Sequence, residues 1–281
     1  MILGAINGFV WGWVVALMSL GLSLVYGVLG VINIAHGAFY MLGAVVGWYI
    51  QAHNFWLAVL FAPLVVGILG AFAERTVLRP LEGKGVMSVI ATFGLMLLFE
   101  HGVLLTFGGA PRWVETPAPF LFSLNIAGLP YPAYRAFVAL TSILCVIGLW
   151  LFLFRLKFGR WIRATQQNRE LALSLGIPVP FVYGLTFGMG AWLAALAGVL
   201  TSPIVAVDYR MGLEMLIVSF VVVIVGGLGS LKGAVLVAII FSTLEGILAI
   251  KTEPTAARII VLLVMGAVLL IRPQGLFGRE R

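Results

Sequence analysis

Charge is what this sequence has least of. Of its 281 residues, 62% are hydrophobic and only 10% charged, where a soluble globular domain carries about a quarter charged. The first charged side chain along the chain is Glu74. No polar exterior remains to cover so apolar a core, which excludes a water-soluble fold. Cysteine is nearly absent too: Cys145 stands alone in an apolar run, so it makes no internal disulfide, has no metal-ligand company and reads as packing. The catalytic frames are missing as well. There is no G-x-x-x-x-G-K-[ST], and the GKG at 83–85 lacks its frame. There is no H-E-x-x-H, no G-x-S-x-G and no Cys/His cluster at metal spacing. The expectation is a chain with no catalytic residues and no metal site, which binds no cofactor of its own. No Lys- or Arg-rich run is interleaved with aromatics, which argues against nucleic acid as a partner despite the net charge of +7.

What is present is a succession of long apolar runs. A helical crossing needs about 20 mostly apolar residues, whereas barrel strands would show as alternating segments of about 10. The runs are apolar all round, the helical signature. Candidate spans are 5–30, 36–52, 55–73, 86–108, 136–154, 182–200, 214–229, 233–250 and 257–271. The fold class expected is all-α, a polytopic transmembrane bundle of about 8–9 spans, with one membrane domain over 1–281. The opening MILGAINGFVWGWVVALMSL lacks a basic n-region and reads as a retained first span, not a removed signal peptide. Membrane lipid is therefore its surroundings.

The joins carry the charge. Arg75, Arg79 and Lys84, then Arg155, Lys157, Arg160, Arg163 and Arg169, then Lys232, then Arg272, Arg279 and Arg281 fall on one side, 12 of the 17 basic residues. Arg112, Arg135, Arg210, Lys251 and Arg258 fall on the other. The positive-inside rule puts the loops at 74–84 and 155–181, and the C-terminus, in the cytoplasm. Nine crossings place the N-terminus outside; if one early segment turns back without crossing, it lies inside. The outer join 109–135 is rich in Pro and Gly and reads as an ordered loop on the membrane, with Trp113, Tyr131 and Tyr134 suited to the interface.

Three groups of residues carry candidate function. In GVLGVINIAHGAFYMLGA (27–44), Gly27, Gly30, Gly37 and Gly43 bracket Asn33 and His36. Glycines let helix backbones approach and permit a break whose freed carbonyls need partners. Asn33 and His36 supply those partners, or else Asn33 simply caps a helix at a short turn. The later GGLGSLKGAVLVA also sets spaced glycines at a polar break; the echo is too faint for a repeat. Glu100 and His101 in the fourth run, and Glu245 in the eighth, are ionisable groups inside spans, which usually face a bundle interior or a watery cavity. Glu100 and His101 are either a structural pair or contacts for a zwitterionic substrate, whose carboxylate would take backbone N–H groups at a helix end opened by Gly226, Gly227 and Gly229; alternatively those glycines allow tight packing. Finally, RATQQNRELALSLGIPV (163–179) describes a short helix with a basic start, stopped by Gly176 and Pro178, with Ala164, Leu171 and Leu175 on one side and Asn168 beside them, or else a solvated cytoplasmic loop held to the surface by its basic residues.

The first of these stretches resembles the signature of the branched-chain amino acid permease family, the membrane subunits of bacterial ABC importers. Its N-x-A-H-G core matches Asn33, Ala35, His36 and Gly37, followed by Tyr40-Met41-Leu42-Gly43-Ala44; Ala38 stands where many members carry Glu. ERTVLRPL (74–81), VVVIVGGLGSLKGAVLVAII (221–240) and RPQGLFG (272–278) resemble further family segments in the same order. The stretch at 163–179 is similar to the coupling helix of such importers, written E-A-A, three residues, G. Glu170, Ala172 and Gly176 fit, Leu171 replaces the first Ala, and Arg169 precedes it. The resemblance implies an importer-permease fold and a pathway for branched-chain or related amino acids. It implies a second permease subunit (usually a homologous chain, alternatively a second copy), two cytoplasmic ATPase subunits that use ATP and Mg, an extracytoplasmic substrate-binding protein, and a bacterial inner-membrane location. Urea, short amides and aromatic acids are cargoes of similar permeases, and an ion-driven secondary carrier is the more distant alternative.

Overall fold

The computed structural model describes residues 1–126 and 128–278; Arg279 and Arg281 of the basic tail lie outside them. The chain folds as α1 (Ile2–Leu29), α2 (His36–Gln51), α3 (Phe55–Ala73), α4 (Gly85–Phe107), β1 (Ser123–Ile126), β2 (Leu129–Pro132), α5 (Ala133–Arg155), α6 (Lys157–Gln167), α7 (Arg169–Ser174), α8 (Val179–Thr201), α9 (Met211–Gly226), α10 (Leu231–Leu248) and α11 (Pro254–Ile271). Among the described residues, seven helices are long and apolar enough to cross a membrane: α1, α3, α4, α5, α8, α10 and α11. The two other apolar helices, α2 and α9, have 16 residues each, short of the ~20 a crossing needs.

Glycine decides how the core helices meet. With little hydrophobic drive between helices in lipid, association rests on close packing, and small residues let backbones touch. Along α1, Gly4 faces the Gly246 carbonyl of α10, Gly8 the Ser242 backbone and Gly12 the Ile239 Cα. Further along α1, Gly21 meets Gly190 of α8. Helix α2 crosses α8 where Gly43 abuts the Ala195 backbone and Gly198 the Tyr40 carbonyl, and it meets α9 through Gly37 and Gly212. Helices α1 and α8 are each 78% buried over their apolar windows.

The reading of 36–52 as a full span needs correction. Helix α1 ends at Gly30, whose φ of 66° closes a left-handed cap with its N–H on the Tyr26 carbonyl at 2.9 Å. The chain then runs back alongside α1, and α2 begins beside Met18 and Gly21, roughly 12–16 Å from the end of α1 at 1.5 Å per residue. Helix α2 continues to the far end, where Trp48 and Tyr49 pack edge-on against Phe107 at the end of α4. Residues 30–51 thus run through the bundle as one unit, six residues of non-helical chain followed by the sixteen of α2. The start of α1, beside Gly246, lies at the end of the bundle opposite the tail, whose Leu276 N–H bonds the Val225 carbonyl at the end of α9 at 2.7 Å.

Two joins also differ from expectation. Helix α3 runs through a π turn (Glu74–Leu78) into a 3-10 turn (Arg79–Leu81). Glu74 is buried there against Arg79 at 2.6 Å, whose Nη2 also donates to the Pro180 carbonyl at 2.7 Å. The 109–135 join is ordered, as expected, by an antiparallel β1–β2 hairpin and a backbone bridge from Arg112 to Val207. Its aromatics part company, however. Trp113 is exposed, while Tyr131 and Tyr134 are buried, Tyr134 because it belongs to α5 and donates to the Leu200 carbonyl at 2.9 Å.

Candidate functional site

The polar break sits in the middle of the bundle. His36 Nε2 donates to the Met18 carbonyl of α1 at 3.0 Å, leaving Nδ1 without a partner. The freed backbone of the extended segment is served by Thr92 of α4, which accepts from the Ile34 N–H at 3.2 Å and lies 3.4 Å from the Ile32 carbonyl. Asn33, expected to cap or to supply this service, does neither. It is buried, both its amide atoms lack partners among the described residues, and the position before α2 is Ala35 with no side-chain cap. One step along α2, Tyr40 donates to Thr201 Oγ1 at 2.7 Å, the hydroxyl of Thr201 being itself committed to the Ala197 carbonyl at 2.9 Å. Gly37 and Gly43 are the backbone contacts already described, so this motif builds the junction of α1, α2, α8 and α9.

The second glycine group meets the first. Gly229 lies against Gly27, and Gln166 of α6 touches both, its amide reaching the Gly229 carbonyl at 3.4 Å. Gly226 packs on the Gly233 backbone, and Gly227, at φ 99°, receives the tail segment Phe277–Gly278. The α10 N-terminus is capped by Ser230 from within, its hydroxyl accepting the Gly233 N–H at 3.2 Å. These glycines are closed by the chain itself, which fits the tight-packing alternative rather than a terminus open to a carboxylate. The 214–229 span accordingly stops at Gly226, because the left-handed Gly227 ends the helix.

The 163–179 stretch is two helices, not one. Asn168 adopts an extended conformation and its side chain accepts the Leu171 N–H at 2.9 Å, starting α7 afresh. The helical register therefore resets, and the grouping of Ala164, Leu171 and Leu175 on one side fails. Ala172 is the buried residue of α7, while Leu171, Leu173 and Leu175 are exposed. Arg169 pairs with Glu82 at 2.5 Å, Glu170 projects outward, and Gly176 at φ 76° turns the chain.

Glu100 and His101 are not brought to the break. His101 is exposed and bonds the Leu97 carbonyl of its own helix at 2.9 Å, on α4, only 22% buried over its apolar window. Glu245 lies elsewhere again, pairing through Oε1 with Arg258 Nε at 3.2 Å. It lines a cavity of about 220 Å3 at the end of the bundle where α1 starts, together with Asn7 and Arg135. Arg135 Nη1 donates to Asn7 Oδ1 at 2.7 Å. Beside it, burial pushes the Tyr131 phenol up, and the Arg135 cation opposes that shift. Asn7, Arg135 and Gln166 escaped the sequence reading; the one available signal was an Arg in the first turn of an otherwise apolar span.

Comparison with known proteins bears on this arrangement. The family described as branched-chain amino acid transport system permease component matches residues 4–271, and the chain belongs to that family. It is 30% identical to the high-affinity branched-chain amino acid transport system permease protein BraD of Pseudomonas aeruginosa, over 98% of this chain and 94% of that one. It is 29% identical to LivH of Escherichia coli, of the same description, over 97% and 94% respectively. A third relative is the probable branched-chain amino acid transport permease LivH of Methanocaldococcus jannaschii, 28% identical over 93% and 88%. No solved structure matches the chain. The class is thus a helical membrane permease of the ABC-importer type.

Proposed function

We propose that the chain forms the translocation pathway of an ATP-driven importer for branched-chain or related amino acids. ATP and Mg are handled by two cytoplasmic ATPase subunits, and cargo arrives from an extracytoplasmic binding protein. A second permease subunit, a homologous chain or another copy, completes the pathway. The whole works in the bacterial inner membrane, with α6, α7 and the tail cytoplasmic by the positive-inside rule and the start of α1 outside.

The exposed apolar rim of α7 carries the reading. A six-residue helix with Leu171 and Leu173 exposed, followed by the exposed Leu175, beyond any apolar span is a surface awaiting a partner. Asn168 fixes its start, and Gln166, two residues before, touches the Gly27–Gly229 junction. Movement of α7 with a bound ATPase is thereby passed to the ends of α1 and α9 through packed elements rather than a flexible linker. ATP binding draws the ATPase pair together and opens the pathway outward; hydrolysis resets it.

Glu170→Lys and Gly176→Asp test this directly. Both variants insert normally but lose ATPase association on copurification and lose leucine uptake. Normal uptake in both removes α7 from the mechanism. Uptake of labelled urea in place of leucine by the wild-type importer would replace the cargo while leaving the coupling intact.

A further inference from the structure

The cavity at the outer end has walls of opposite charge. Its lining includes Asn7 and Trp11 of α1, Arg135 of α5, Ile204 after α8, and Ser242 and Glu245 of α10. At about 220 Å3 it is smaller than the roughly 300–1,000 Å3 of drug-sized sites, and so suits a molecule of amino-acid size. The two charges are held differently. Glu245 is already matched by Arg258, through one carboxylate oxygen, whereas Arg135 donates to the neutral Asn7 amide, lies against the Tyr131 phenol and makes no ion pair among the described residues. The cavity lining therefore includes a guanidinium with no carboxylate partner, and Glu245 and Ser242 belong to the same lining. Trp11 and Ile204 supply apolar wall.

We propose that this cavity is a transit site for a small zwitterionic amino acid: its carboxylate on Arg135, its ammonium toward Glu245 and Ser242, and its aliphatic side chain against Trp11 and Ile204. A guanidinium is suited to a carboxylate because its planar fork meets both oxygens. The location fits cargo arriving from outside. The inference rests on the reading of the chain as an amino-acid permease, and it places the site on α1, α5 and α10, apart from Glu100 and His101 of α4.

The test is thiol protection in the assembled importer. In a Cys145→Ala background, Ala249→Cys places a thiol on the cavity wall. Its modification by an impermeant methanethiosulfonate from the binding-protein side is timed with and without 10 mM leucine. Leucine slows modification about fivefold, as expected for a millimolar site at that concentration. Leucinamide, which lacks the carboxylate, gives no protection. Arg135→Gln abolishes the protection by leucine and Arg135→Lys retains part of it. Equal protection by leucine and leucinamide overturns the carboxylate assignment, and that arm needs no Arg135 variant to fold. Absence of protection in an importer that takes up leucine overturns the site while leaving the permease function standing. Protection by leucine in an importer that does not transport it supports the site and overturns the transport reading; loss of both overturns both.

Discussion

Helices α1 and α8 meet their neighbours backbone to backbone, while α4 and α11 keep most of their length free. The buried share of the apolar window is 78% for the first two and 22% and 17% for the second two. Both regions contain glycine, but it does different work in each. A Cβ at Gly43 or Gly198 would strike backbone across the α2–α8 contact, whereas one at Gly94, Gly102 or Gly266 would meet open space. The lesson is that in a bilayer apolarity does not separate inside from outside, since lipid tails are as apolar as leucine. What separates them is whether a neighbour has come close enough to forbid a side chain.

The sharpest way to break that contrast is to enlarge a glycine in each region. Gly198→Leu sets a side chain against the Tyr40 carbonyl and costs more than the ~1–3 kcal/mol of ordinary overpacking, so folded, monodisperse protein disappears on size exclusion in detergent. Gly102→Leu leaves the melting profile within the scatter of the wild type. Equal tolerance of both would mean the two regions do not differ as described.

Smaller effects sharpen the comparison at particular joints. Glu74→Ala removes one side of a pair in which the carboxylate is 1% exposed and Arg79 32%. Breaking a buried pair costs about 3–5 kcal/mol, and the partial exposure of Arg79 places this one near 3, read as a lower thermal midpoint in detergent. Tyr40→Phe deletes the donor to Thr201 and leaves that oxygen with its own donation to Ala197. It costs about 0.6–1 kcal/mol, the usual size of a hydrogen bond between membrane helices, measured by the same melt.

Seven of the nine expected spans were legible in the sequence because bilayer thickness sets the length of an apolar run. The break at Gly30–Ala35 was legible as well, since polar residues and glycines interrupted such a run. Who would heal the break was not: Thr92 is one of three hydroxyls on an apolar helix, far along the chain, while Asn33 looked the better partner and has none among the described residues. The face of α7 was misread for a local reason. Asn168 restarts the helix, and a one-residue interruption turns every later side chain. The charged cavity was invisible because its groups come from α1, α5 and α10, each a lone polar residue near a span end, and only the glycine contacts of α1 with α10 bring Asn7 near Glu245.

The central claim is that this chain conducts and its partners supply the energy. Liposomes holding the purified chain with its ATPase subunits and second permease, and its binding protein added with the leucine to the side where α1 starts, test it most directly. Leucine accumulates when ATP is present on the side of α7 and does not when ATP is withheld, and the chain alone accumulates none under a proton or sodium gradient. Gradient-driven accumulation by the chain alone would contradict the account.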